Sequence, residues 1–357
     1  MLKLFSVYAV LCCLAGVSYA NKSFDIDLGE CCKTAQCSQE ERVPLLGTKL
    51  VISDYGNKPA LSADEIIKII DKGDVEQLRI KVNPKSVNSK NKNGDTPLTY
   101  AAAKANQPAI IDILTNNGAD TEIRDKNQMT PLMIAVQRPL YPNIAIALIK
   151  NKADVNAVYK KDNSSVLMIA LGDSLVSPNL IQALADTGAN VNFKNAQQNT
   201  PLLLALKNVN NASVIDILAK AGADVEQKDK DGLSPLQIAL SRPSYPGIAI
   251  ALIKNNADIN VVYENLMTPL MTALNKLSTK QEVIRAFVDK GANINAQNAF
   301  GQTALMFAAA NFDEEMIKIF KKAKADFSIK DKEGCTARDY GESNPKISKK
   351  FLKKMKF

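Results

Sequence analysis

The chain has 357 residues, with 45 Lys and Arg against 37 Asp and Glu, a formal net charge of +8 and no histidine. Without histidine there is no Ser–His or Cys–His nucleophile, no imidazole metal ligand and no imidazole pH switch. Hydrolytic chemistry would have to rest on carboxylates or a lysine, and no sequence signature sets such a pair apart from surface charge.

The first twenty residues differ from the rest. Lys3 precedes an apolar run from Leu4 to Val17, and Ser18-Tyr19-Ala20 supplies small residues where a signal peptidase reads. A run of 14 residues spans only ~21 Å as a helix against a hydrocarbon core of ~30 Å. Residues 1–20 are therefore expected to be a secretory signal peptide, which gives a periplasmic or secreted protein. Beyond it lie four cysteines, Cys31, Cys32, Cys37 and Cys335. In an oxidising compartment a disulfide is the default, and Cys37 with Cys31 or Cys32 is the simplest pairing. The fourth cysteine is too remote for the paired spacing of a zinc site, so no metal is expected.

Residues 21–60 carry the first three cysteines, the strand-like Lys49-Leu50-Val51-Ile52-Ser53 and turn residues at Tyr55-Gly56-Asn57-Lys58-Pro59. Ser62 reads as a helix cap, and Ile66, Ile67, Ile69 and Ile70 make an apolar face, with a second helix from Asp74. Residues 61–92 thus read as a polar-faced unit capping the N-terminal end of a repeat array.

From residue 93 onward the sequence is periodic. A Thr or Ser, mostly ahead of Pro-Leu, stands at positions 96, 130, 165, 200, 234, 268, 303 and 336, at spacings of 33 to 35. Most copies are succeeded about 24 residues later by a Gly-Ala pair, as in Gly118-Ala119-Asp120 and Gly222-Ala223-Asp224. A fixed period in this range means stacked units, each too small to bury its own apolar face. The hydroxyl caps a helix whose first residue is Pro, where a missing N–H costs nothing. The Gly ends a second helix in a left-handed turn.

The pattern G-x-T-P-L-x-x-A-A, then V-I-D-I-L-x-x-x-G-A-D-V, resembles the ankyrin repeat, most closely in Asp231-Gly232-Leu233-Ser234-Pro235-Leu236 and in Val214 to Val225. The resemblance implies an all-α ankyrin-repeat solenoid of stacked helix-turn-helix units with short finger turns. Seven repeats are expected over residues 93–335, with a basic C-terminal cap at 336–357 whose final helix docks through Ile347, Phe351, Leu352 and Met355. Such a solenoid is expected to bind protein across its finger tips and first helices, to be monomeric, and to need neither cofactor nor catalytic residues.

The family's histidine after T-P-L is replaced throughout, by Thr99, Met133, Met168, Leu203, Gln237, Met271 and Met306. Packing between repeats is then expected to lean on apolar contact. The finger glycine is replaced at Gln128, Asn163, Gln198 and Leu266, where positive φ would be strained for all but Asn. A longer period underlies the short one: residues 138–159 and 242–263 agree at 17 of 22 positions, at an offset of 104. This is the mark of three repeats duplicated, and it leaves open whether two equivalent contact sites result.

Charge is uneven. Residues 318–357 hold thirteen Lys or Arg and five Asp or Glu, so the remainder of the chain sums to zero. That end reads either as a solvated cap face or as a contact for an anionic surface through Lys346, Lys349, Lys350, Lys353, Lys354 and Lys356. One finger row runs Lys92, Lys126, Lys161, Ala196, Lys230, Glu264, Ala299, Lys332, and the late first-helix row runs Lys104, Arg138, Asp173, Asn208, Arg242, Lys276, Asn311. This modest basic bias favours an acidic protein partner, with steering that salt weakens. Tyr159, Tyr263 and Phe300 are candidate anchors, the alternative being packing between fingers. Nucleic acid is not expected, because the lysines are scattered and no recognised binding motif is present.

Overall fold

A computed structural model describes residues 61–354. The signal-peptide expectation, the 21–60 segment with Cys31, Cys32 and Cys37, and Met355 and Lys356 lie outside the described residues. The described residues form eighteen α-helices in nine antiparallel pairs. The first pair is α1 (Ala63–Lys72) and α2 (Val75–Lys81). Then come α3 (Pro97–Lys104) with α4 (Pro108–Asn116), and α5 (Pro131–Ala135) with α6 (Pro142–Lys150). The third repeat pairs α7 (Val166–Ala170) with α8 (Pro178–Asp186), and the fourth α9 (Pro201–Asn208) with α10 (Ala212–Lys220). The fifth holds α11 (Pro235–Leu240) and α12 (Pro246–Lys254), the sixth α13 (Pro269–Leu274) and α14 (Gln281–Asp289). Last are α15 (Ala304–Asn311) with α16 (Glu314–Lys322), then α17 (Ala337–Glu342) with α18 (Lys349–Lys354).

First helices pack on first helices and second helices on second helices down the stack, giving two helical layers around one continuous apolar core. No helix among the described residues is long and apolar enough to cross a membrane.

The recurring Thr-Pro-Leu builds each first helix as its chemistry dictates. The hydroxyls of Thr96, Thr130, Ser165, Thr200, Ser234 and Thr268 accept the backbone N–H three residues on, and Pro opens most of these helices. The leucine after the proline is buried in the repeats that carry it: Leu98, Leu132, Leu202, Leu236 and Leu270. At the family's histidine position Met133, Met168, Leu203, Met271 and Met306 are buried, so apolar contact does replace the histidine there. Thr99 instead donates its hydroxyl to the Thr96 carbonyl at 2.9 Å, and the Gln237 side chain accepts the Ser234 N–H at 2.9 Å.

Second helices end in left-handed residues as expected, at Gly118, Gly188, Gly222 and Gly291. Lys152, Asn256 and Lys324 take the same conformation without glycine, and so do Gln128, Asn163, Gln198 and Leu266 in the fingers. For residues other than Gly and Asn this costs roughly 1–2 kcal/mol each.

Candidate interaction surface

The face built by fingers and first helices begins with one short-range device. At the base of most fingers an Asp or Asn side chain accepts two backbone N–H groups of its own turn. Asp125 takes those of Asn127 and Met129 at 2.8 and 2.9 Å, and Asp229 those of Asp231 and Leu233 at 3.0 Å. Asn91, Asn195, Asn298 and Asp331 do the same. Lys92, Lys126, Lys230 and Lys332, one residue further on, are thereby held at the tips, whereas Lys161 stands two residues beyond Tyr159. Lys92, Lys126, Lys161, Lys230 and Lys332 are all exposed, and among the described residues none has a carboxylate within salt-bridge distance.

The late first-helix row behaves differently. Arg138 Nη1 donates to the Ala102 carbonyl at 2.9 Å, Arg242 Nη1 to the Leu206 carbonyl, and Lys276 Nζ to the Leu240 carbonyl at 3.1 Å. These acceptors are the last carbonyls of the preceding first helix, which lack intrahelical partners. Neutral residues at the same place do the same work: Asn208 donates to Leu171, Asn311 to Leu274 and Asn344 to Ala309. Arg138 and Arg242 also lie over the rings of Tyr141 and Tyr245, at 4.6 and 5.0 Å from the centroids. The heads of these three basic residues are committed to the scaffold, whereas Lys104 is exposed.

Tyr159 and Tyr263 stand at finger bases, where the other repeats carry Asp or Asn. In the third repeat two short strands, β1 (Val158–Tyr159) and β2 (Ser164–Ser165), pair antiparallel with Tyr159 opposite Ser164. In the sixth, Tyr263 N–H donates to the Met267 carbonyl at 2.9 Å around Asn265 and Leu266, both at φ 55°. Positive φ at two successive turn residues is the type I′ arrangement. The Tyr159 ring packs on the core. The Tyr263 hydroxyl is enclosed and has no hydrogen-bond partner: the Ser234 hydroxyl beside it is out of bonding geometry. Burial pushes that phenol up to about 12, against a lowering effect of the neighbouring Ser234 hydroxyl and with smaller upward contributions from Glu226 and Asp258. Phe300, by contrast, is 52% exposed at the seventh fingertip.

Sequence reasoning passed over the apolar neighbours of Phe300. Leu266 is 54% exposed at the sixth fingertip and Val262 is exposed on the same finger, with Leu233 exposed at the base of the fifth opposite Asp229. Adjacent fingers are bonded through the main chain: Ala299 N–H donates to the Asn265 carbonyl at 2.8 Å, and Lys332 N–H to the Phe300 carbonyl at 3.0 Å. Gly301 permits the second contact, since a Cβ there would meet the backbone of Asp331 and Lys332 at 3.0 Å. Beside Phe300 opens a concavity lined by Gln302, Ala310, Asp331, Glu333, Cys335, Asp339, Tyr340 and Ser343. Asp331 is buried and accepts the Tyr340 hydroxyl at 2.7 Å, which in turn accepts from Gln302 at 2.7 Å. Partial burial raises the Cys335 thiol, and the charges of Asp331, Asp339 and Glu333 raise it further. Among the described residues no group of three His, Cys, Asp or Glu side chains could hold a metal ion.

At the C-terminal end Lys346, Lys349, Lys350, Lys353 and Lys354 are exposed. Lys346 Nζ donates to the Asn311 carbonyl at 3.2 Å, and no carboxylate pairs with the four lysines of α18 among the described residues. Ile347 and Leu352 are buried beneath them and Phe351 is half-buried.

The model of a family described as ankyrin repeats (3 copies) matches residues 66–159, 143–229, 167–263, 202–298 and 270–346, which together cover 66–346. No curated protein matches the chain. Among solved structures, the ankyrin repeat domain of Bcl-3, a member of the IkappaB protein family, is similar at 24% identity with a TM-score of 0.48, over 64% of this chain and 100% of that one. An ankyrin repeat domain from Acinetobacter baumannii AYE is similar at 26% identity with a TM-score of 0.47, over 53% of this chain and 96% of that one. With the family pattern matched over most of its length and the paired-helix stack that the pattern dictates, the chain belongs to the ankyrin-repeat family.

Proposed function

We propose that this protein is an exported binder of another protein, acting as an inhibitor or scaffold, and that it takes an acidic stretch of its partner along the finger row. Ankyrin arrays are in general protein-interaction modules. The observation that carries the acidic preference is the recurrence of exposed, unpaired lysines at one finger position, Lys92, Lys126, Lys161 and Lys230. Fixed cations in a row at the repeat interval raise the encounter rate with an acidic segment and lose that advantage in salt. Export rests on residues 1–20 and predicts a mature chain beginning at Asn21, which N-terminal sequencing of the exported protein checks. Replacing the four lysines with Glu should cut capture of a poly-glutamate peptide at least tenfold at low salt and leave thermal unfolding unchanged, because these side chains make no bonds to the scaffold. Equal capture by both proteins would remove the acidic-partner reading.

A second reading rests on the four unpaired lysines of α18. They suit an anionic membrane surface, each cation contributing about 1 kcal/mol near such a surface. Because Ile347 and Leu352 seat the cap in the core, the test is substitution rather than truncation. Lys349, Lys350, Lys353 and Lys354 replaced by Gln should abolish sedimentation with phosphatidylserine vesicles, and sedimentation unchanged from the parent would exclude the tether.

A further inference from the structure

We infer that the sixth and seventh fingertips and the concavity beside them form a docking site for a partner segment carrying a large apolar side chain with a lysine or arginine about three residues away. This deepens the protein-binding reading and rests on it, but it concerns the later fingers of the row, where Glu264 and Ala299 interrupt the lysines between Lys230 and Lys332.

Leu266 is where the argument starts. It is exposed, and it holds the left-handed turn position that glycine fills at residues 94, 232, 301 and 334. An apolar residue in water and a side chain at φ 55° are both unfavourable, and in the free protein neither is offset by packing. Strain of this kind persists where a site uses it. Phe300 on the next finger is exposed as well, and the Ala299–Asn265 bond fixes the two tips against each other. Val262 on the sixth finger and Leu233 on the fifth are exposed as well.

Charge selects the occupant. The concavity beside Phe300 is lined by three carboxylates, Asp331, Glu333 and Asp339, and by no cationic side chain. The sixth fingertip carries Glu264 and the seventh Ala299 where five of the other tips carry lysine. The Cys335 thiol in the concavity is raised first by burial and only then by these carboxylates. These carboxylates are not disposed to hold a metal ion, so the complementary group is an organic cation on the partner. Fingers stand about 10 Å apart and an extended strand advances ~3.3 Å per residue, which sets the separation of anchor and cation at about three residues.

The probe is a random dodecapeptide library displayed on phage and selected against the full chain. Enriched sequences should place Leu, Ile, Met or Phe about three residues from Lys or Arg. A synthetic consensus peptide, measured by fluorescence polarisation, should bind at least tenfold more weakly to Phe300→Ser and to Leu266→Gly, and several-fold more weakly to Glu333→Lys. The Leu266→Gly protein should also melt ~1–2 °C higher, since glycine relieves the turn. Weaker binding by a more stable protein separates a contact role from a structural one. The inference is overturned if nothing is enriched, if enriched peptides lack the apolar–cationic pair, or if the consensus binds parent and variants alike. Retention of the consensus peptide by the four-lysine variant, with loss of poly-glutamate, shows that the two ends act separately. Retention of poly-glutamate by Phe300→Ser shows that this site alone has been removed.

Discussion

At the scale of single residues, the two duplicated tyrosines show how a repeat position changes meaning when one side chain is exchanged. Asp or Asn at a finger base ties the turn together through two backbone N–H groups, whereas Tyr263 offers a ring and an enclosed hydroxyl without a partner. A buried hydroxyl left unpaired costs about 1 kcal/mol or more. Tyr263→Phe is therefore expected to leave stability at pH 7 equal or raise it by up to about 1 kcal/mol. The pH dependence has a definite sign. The folded-state value of about 12 lies above the ~10 of an unfolded tyrosine, so the folded protein holds this proton more tightly. That contribution is complete below pH 10 and is lost as pH rises through about 12. Tyr100 and Tyr340 are also raised, the first chiefly by its bond to Asp71 and the second chiefly by burial, and they act in the same direction. Urea midpoints at pH 7, 10 and 11.5 should thus fall less steeply for Tyr263→Phe than for the parent, by about 1 kcal/mol over the alkaline interval given the phenol's partial exposure. An identical alkaline loss in both proteins would show that this phenol does not titrate there.

At the scale of elements, the first helices are short, and five residues in α5 or α7 cannot satisfy their own terminal carbonyls. For α7 the next repeat supplies a missing donor, Asn208 to the Leu171 carbonyl, 37 residues away in sequence, whereas the residue at that place after α5 is Asp173, which cannot donate. The caps were legible because their partners are three residues apart: Thr130 and Met133 can be paired by eye. The positive φ at Gln128, Asn163, Gln198 and Leu266 was legible too, since each falls where a sister repeat has glycine. Arg138, Arg242 and Lys276 were legible only as charge, because their acceptors are backbone carbonyls and carry no sequence signal. Asn208 and Asn311 among the basic residues of that row were the available clue, since hydrogen-bond donation is common to Arg, Lys and Asn, with Asp173 the one member that cannot donate. Arg242→Asn should accordingly cost about 1 kcal/mol, keeping one donor as Asn208 does, whereas Arg242→Glu should cost about 2–3 kcal/mol by setting a carboxylate against carbonyl oxygens. Thermal melts of the two variants check this, and equal losses would mean that the ring of Tyr245, not the carbonyls, holds the guanidinium.

At the scale of the whole array, a further device runs from repeat to repeat through the turns after the second helices. Asn88, Asn156 and Asn192 each donate to the carbonyl of the next repeat's terminal glycine and accept an N–H two residues beyond it, at 2.8–2.9 Å. Glu122 and Glu226 stand in the same register and keep only the accepting half. The residues recur visibly in the sequence, but a surface Asn looks the same whether it bridges two repeats or faces water. The exposure of Leu233 and Leu266 was hidden for a related reason, though Phe300 was legible as an anchor: hydrophobicity by itself does not say which side of a turn a side chain takes. In a stack whose units touch only their neighbours, stability is a sum of unit and interface terms, so weakening one interface should uncouple the parts it joins. Asn156→Ala combined with Asn192→Ala removes four bonds on either side of the third repeat, a loss of about 2–4 kcal/mol. Urea unfolding should then broaden, with a smaller apparent m and with amide exchange accelerated first in α7 and α8. A midpoint lowered with m unchanged, and exchange accelerated evenly from α3 to α16, would mean that the apolar core alone couples the repeats and that the ladder only dresses their surface.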